Sequence, residues 1–528
     1  MKRFKLLLTI LVAMAMLLTG CGGDRSGANG GVQEASIAVY STPYEPILDW
    51  DPSVCFSTDN SVFHNVYETL LYYDLNKDTF EPVLATEYSN SDDGLVWNFK
   101  LREGVKFHDG SDFTAEDVKF SIERTRDCKM GPSYMWDAVK EINIINDYEV
   151  ELVLSYPDSI ELVASCAYAS FIMSSESVDA DFKTSTAWFN EGKECGTGPY
   201  MLKSQTPGDK VILTKYDNYW KGWEGKHFTD VVFQYTSETA VRRQIMEGGE
   251  ADVTYDLPAL DVLELQKNDA IKVSVDNGLS DIIIFMNTSR APLNDVNIRK
   301  ACAYAFPYED KLKYVDLGFA TLATDVIPST MWGANQKSPY YYDLDKAKEY
   351  LAAAGKPNGG FTLEFAYSAG SESWKKIAEM YKAELAKIGI TLELAPASWD
   401  TNWTRAKSQN KKDRPDFLIT MQWADLMSPA YAYKPMFHSE DTVNWNLSYY
   451  YNPKLDKLID EAIRMTAIDK DKAAELYKQC GQIVAEDCVV LTGGDKKDIM
   501  IFNSGFEGYY HNAAYKGIVF FYDCSRAK

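Results

Sequence analysis

Residues 85–124 read ATEYSNSDDGLVWNFKLREGVKFHDGSDFTAEDVKFSIER, and the hydrophobic period changes within them. Residues 97–101 (WNFKL) alternate apolar and polar side chains, the period of a strand with one buried face. Gly104 and Gly110 bracket the turn VKFHD, where glycine supplies backbone conformations denied to other residues. At Thr114 the chain reads TAED, a threonine three residues before an acid and directly before an apolar run, which starts a helix. The stretch predicts strand, turn and helix, with Trp97, Phe99 and Val118 in the core. His108 beside Asp109 is read as ordering the turn rather than holding a metal.

Outward from this stretch, short strands and helices alternate. Residues 37–40, 149–154 (EVELVL), 210–213, 282–287, 361–366 and 390–394 have strand patterns, with a turn at Asp217-Asn218. Helical spacing marks residues 61–71, 238–248, 297–306, 344–354, 373–388, 453–464 and 472–486. Gly355 and Pro357 close one of these helices, and Gly389 another. The alternation defines an α/β chain. Asp74, Asn76 and Asp78 imitate the start of a calcium loop. Thr79 stands where that loop needs glycine and Ala85 where it needs a bidentate glutamate, so the segment predicts a hairpin turn.

The N-terminus follows other rules. Lys2, Arg3 and Lys5 precede an apolar run over residues 6–18, too short to span a bilayer and suited to a signal-peptide core. It ends in Leu18-Thr19-Gly20-Cys21, the pattern of a bacterial lipobox, which makes Cys21 the lipidated N-terminus of the mature chain. Residues 1–20 are read as the signal peptide. Residues 21–34, rich in glycine and polar residues, are read as a flexible tether. No second apolar stretch is long enough to cross a membrane, so lipid on Cys21 is the expected anchor.

With 528 residues, 46% of them hydrophobic and 25% charged, the chain has material for two or three domains. A formal net charge of −23 opposes nucleic-acid binding, which needs a positive footprint. Eight cysteines besides Cys21 allow many pairings in an exported protein, and none has C-x-x-C spacing. Of the five histidines, His64, His108, His227, His438 and His511, no two share an i, i+4 spacing. The zinc-protease HExxH, the G-x-S-x-G elbow, the phosphate-binding GxxxxGK[ST] loop and G-x-G-x-x-G are all absent. No enzyme activity, cofactor or metal is expected. A secreted hydrolase is the alternative from another class.

Several segments, taken in order, resemble the family 5 extracellular solute-binding proteins of bacteria, the group of dipeptide-, oligopeptide- and nickel-binding proteins. Residues 85–124 resemble the family's signature region. Gly196-Thr197-Gly198-Pro199-Tyr200 and the later YDNYWKG (216–222) follow. Residues 287–306 are similar to the family run N-x-S…P-x-x-D…R-x-A-x-x-x-A. Residues 343–423 and Tyr451-Asn452-Pro453 with the helices after it complete the match. The resemblance implies a two-lobed periplasmic-binding-protein-like fold whose lobes close by a hinge on a cleft, with an extra inserted domain. Domain I comprises residues 35–74, 196–279 and 496–528. Domain II, the insertion carrying the signature, comprises 75–195, and domain III comprises 280–495. Gly196 and Gly198 are expected at a tight crossing between lobes.

The resemblance also implies a function: a lipid-anchored substrate-binding protein of an ABC importer, facing the extracellular side or the periplasm, monomeric, and passing its ligand to membrane permease subunits. Peptide-binding relatives place an aspartate after a tryptophan in W-x-x-D-x-x-x-P. This chain reads Trp423-Ala424-Asp425-Leu426-Met427-Ser428-Pro429, with the tryptophan one residue closer and Ser428 replacing a frequent aspartate. Asp425 is therefore the expected anchor for a peptide ammonium, which a closing cleft buries and must pair. Trp399, Trp403, Trp423 and Trp445 are expected to line side-chain pockets. Dipeptide binders present an arginine in the loop before the helix at 373, and residues 367–374 hold none, which turns the expectation from dipeptides to longer peptides. An oligosaccharide or a metal chelate is the alternative cargo, and a sensor role the alternative use.

Overall fold

The structure, a computed structural model, describes residues 36–55 and 60–527. The signal peptide, Cys21 and the tether lie outside them. The described residues group as one compact unit.

The opening stretch folds as its pattern dictates. Strands Ala85–Asn90 and Val96–Leu101 pair antiparallel and join Glu149–Leu154 and Val139–Asn146 in a four-stranded sheet. Helix Ala115–Asp127 starts at Thr114, whose N–H donates to the Asp117 carboxylate at 2.8 Å. Trp97, Phe99 and Val118 are buried in the core between sheet and helix. Strands Leu71–Asp74 and Thr79–Pro82 make the hairpin expected in place of a calcium loop.

His108 closes the turn after the signature strand. Its Nδ1 lies 2.8 Å from Glu194 and its Nε2 2.9 Å from the Gly198 carbonyl. Burial favours the neutral ring, but Glu194 and the carbonyl outweigh it and raise the pKa. The glycines of GTGPY answer to another contact. A Cβ on Gly196 would stand 1.9 Å from the Val66 carbonyl oxygen, and one on Gly198 2.7 Å from it. Thr197, between them, donates to the buried Glu68 carboxylate at 2.9 Å. Tyr219 and Trp220, of the YDNYWKG motif, donate to it also, at 2.9 Å each. Two sequence motifs thus meet on one carboxylate.

Eleven strands form the main sheet. Its two longest members, Ile271–Met286 and Val490–Asn503, run antiparallel through its centre. On one side lie Val253–Tyr255, Ile37–Thr42, Asp230–Tyr235, Lys210–Lys215 and Tyr200–Thr206. On the other lie Phe417–Trp423, Phe361–Ser368 and Ile390–Ala397. Each side packs its own apolar core. The ladder between the two long strands is interrupted between Asn277 and Ser280. Gly278 sits in that bulge, where a Cβ would stand 2.7 Å from the Asp498 carboxylate. No helix of the described residues is long and apolar enough to cross a membrane. Cys128, Cys166, Cys195, Cys302, Cys480, Cys488 and Cys524 carry free thiols.

Candidate functional site

Strands Phe361–Ser368, Ile390–Ala397 and Phe417–Trp423 run parallel and end at one edge of the sheet. In open α/β sheets that edge is where ligands bind. Trp423 is the last residue of its strand, Asp425 lies in the turn beyond it, and Trp399 opens the helix after Ile390–Ala397, two strands away in the same sheet.

Asp425 meets residues far upstream in the chain. The Tyr134 hydroxyl donates to its Oδ2 at 3.4 Å, and the Cys166 thiol donates to its main-chain carbonyl at 3.0 Å. Its Oδ1 is buried and has no hydrogen-bond partner. Burial pushes the carboxyl up to about 6, against the pull of hydrogen bonds from Trp423 and Tyr134. An acceptor held in this way is matched to an ammonium donor. Two more contacts join the segments before residue 100 with those after residue 460. Lys470 pairs with Asp78 at 2.6 Å, and the Asn90 amide donates to the Ala467 carbonyl at 3.1 Å.

The structure brings three of the four tryptophans together. Trp399 stacks on Trp403 at 5.6 Å between ring centroids, and Trp403 meets Trp445 at 4.5 Å. Trp399 and Trp445 stay 37% and 38% exposed, so the stack offers an open aromatic surface. Trp423, 47% exposed, joins no ring contact among the described residues and stands beside Asp425 instead. In the loop without arginine, Ser371 caps helix Glu372–Ala386, and Lys375 faces Glu372 at 3.8 Å.

Sequence reasoning missed Tyr134 and Cys166, which are far from Asp425 in the chain and carry no motif. A separate cavity of about 360 Å³, lined by His64, Glu68, Tyr72, Tyr510, Tyr522 and Asp523 among others, contains none of the expected site residues. Among the described residues, no group of three or more His, Cys, Asp or Glu is arranged to hold a metal ion.

A family model described as "Bacterial extracellular solute-binding proteins, family 5 Middle" matches residues 79–444. The chain is 27% identical over 516 residues to heme-binding protein A of Haemophilus influenzae, covering 91% of this chain and 92% of that protein. It is 29% identical over 451 residues to the dipeptide-binding protein of Escherichia coli, covering 80% and 82%. Among solved structures, the ABC transporter-associated periplasmic binding protein DppA from Helicobacter pylori, in complex with peptide STSA, matches with a TM-score of 0.75 at 25% identity, covering 94% of this chain and 99% of that one.

Proposed function

Since this chain belongs to the bacterial extracellular solute-binding proteins of family 5, we propose that it is the substrate-binding component of an ABC importer and that its cargo is an oligopeptide. Asp425 receives the peptide ammonium, and Trp399, Trp403, Trp423 and Trp445 receive side chains. The observation that carries this reading is the half-buried Asp425 carboxylate, whose Oδ1 is buried and unpartnered. A ligand cation satisfies it, whereas an oligosaccharide leaves a desolvated charge uncompensated. The peptide STSA bound to the Helicobacter pylori protein agrees with this choice.

In this reading residues 35–74, 196–279 and 496–528 form domain I, 75–195 domain II and 280–495 domain III. The two long central strands flex at the Gly278 bulge. Ligand favours the closed arrangement because only there do both faces touch it. The closed form docks on the permease as a monomer, outside the cell membrane or in the periplasm, tethered by lipid on Cys21. The absence of an arginine in residues 367–374 points to peptides longer than two residues.

Calorimetric titration with peptides of two to six residues, free and N-acetylated, tests the proposal. Free peptides are expected to bind, acetylated ones to lose at least about tenfold in affinity, and Asp425→Asn to remove the difference. Equal binding of both forms overturns it.

A further inference from the structure

Asp281 lies on the central strand Ile271–Met286, directly opposite Asp495 on one neighbour and Gln422 on the other. Along that strand Leu279, Ile283 and Phe285 share its face and pack with Met427, Ala432 and Tyr433. The Asp281 side chain therefore points to the side that carries the Asp425 turn and helix Ala430–Phe437. It is fully buried, and neither carboxylate oxygen has a hydrogen-bond partner.

Other unpartnered polar atoms gather at the same place. Asp495 accepts from the Ser329 N–H through Oδ2 at 2.9 Å, but its Oδ1 is buried and bare. The Tyr431 hydroxyl and Asp425 Oδ1 are bare also. Tyr431 is half-buried with its hydroxyl oxygen buried, and Asp281, Asp495, Asp425 and Asp325 all act on it. The nearby lysines pair with other groups, and Lys311 only partly offsets the Asp495 charge from a distance. Lys311 pairs with Asp316 at 2.6 Å and Lys496 with Asp316 at 3.1 Å, while Lys516 donates to Ser280 at 2.8 Å. Among the described residues, Asp281, Asp495 and Asp425 have no ion-pair partner.

Two carboxylates directly opposite on neighbouring strands repel, and their burial deepens the cost. Burial, and then the facing Asp495, push the Asp281 carboxyl well up, so without a cation it holds its proton, and a neutral occupant leaves the pair in that state. A donor-rich cation satisfies both. Resting on the reading of the cleft as a peptide site, we propose that Asp281, Asp495 and Tyr431 form a second cationic subsite behind Asp425, which takes the guanidinium or ammonium of a basic side chain and selects basic peptides.

The test compares tetrapeptides that differ at one position, arginine against citrulline and lysine against norleucine, scanned along the peptide. The native protein is expected to bind the basic peptide at least about tenfold tighter at one position. Asp281→Asn is expected to lose that ratio while keeping its affinity for the neutral peptides, which also shows that the variant is folded. If Asp281→Asn does not fold, Tyr431→Phe is expected to lower the same ratio. A ratio near one at every position in the native protein, or a ratio unchanged in the variant, overturns the subsite. If no peptide of either kind binds, the peptide reading fails instead. Agmatine, a dication without a peptide bond, then decides the subsite: binding lost in Asp281→Asn supports it, and no binding to the native protein overturns it.

Discussion

The Tyr134 hydroxyl reaches the Asp425 carboxylate at 3.4 Å, joining residues that lie 291 positions apart in the chain. At that length the bond is weak, and its removal leaves Asp425 still more poorly satisfied. Tyr134→Phe is expected to cost about 0.5–1.5 kcal/mol of contact between these segments. Small-angle scattering of the ligand-free variant is expected to show a larger radius of gyration than the native protein, with the difference abolished by saturating ligand.

Ligand affinity and stability are expected to respond to pH in opposite directions at Asp425. Burial lifts this carboxyl from the ordinary aspartate range to about 6. Between roughly pH 4 and that value the folded chain holds a proton that the unfolded chain has released. Its stabilising contribution is present at acid pH and fades as pH rises through about 6. A peptide ammonium needs the ionised carboxylate, so affinity climbs from pH 5 to 7, by at most about tenfold per unit below the pKa. Titrations at pH 5, 6 and 7 check this, and Asp425→Asn is expected to flatten the profile.

Arg124, in the last turn of the signature helix, makes a buried fork. Its guanidinium donates to both oxygens of Asp51, at 2.6 and 2.7 Å, and to Ser185 at 2.8 Å. Removing one partner strands the other charge in the interior. Arg124→Gln is expected to destabilise the protein by about 3–5 kcal/mol in urea unfolding, without changing the specificity of whatever ligand binds.

The fold is legible in the sequence where local chemistry and tertiary demand agree. The TAED cap, the alternation of WNFKL and the glycine stops are local signals, and the structure honours each. The GTGPY and YDNYWKG motifs are legible as patterns but not as a reason. Their shared purpose, enclosing Glu68 and letting the chain pass Val66, exists only once the fold brings residues 66–68, 196–198 and 219–220 together. The site is half legible. Asp425 and the tryptophans can be named from spacing, yet that Trp399, Trp403 and Trp445 form one stack depends on segments separated in the chain. Asp281 carries one local signal, an acid at the edge of the apolar run IIIFM. Its meaning depends on cross-strand register with Asp495, which no single segment encodes.

Gly196→Ala tests the crossing near Val66. The added methyl would stand 1.9 Å from the Val66 carbonyl oxygen, which is main chain and cannot swing aside. The variant is expected to lose more than about 3 kcal/mol, seen as a fall in thermal midpoint, whereas Gly104→Ala meets no atom within 4 Å and pays only for its positive φ.

The central claim is that this chain captures peptides, and a thermal-shift panel on the soluble chain beginning after Cys21 tests it most directly. The panel holds peptides of two to six residues and oligosaccharides. A ligand that binds only the folded state at a hundredfold excess over its Kd adds about 2.7 kcal/mol of stability. A large shift with peptides longer than two residues, and none with sugars, is expected. A shift with sugars alone, or with no ligand in the panel, would contradict it.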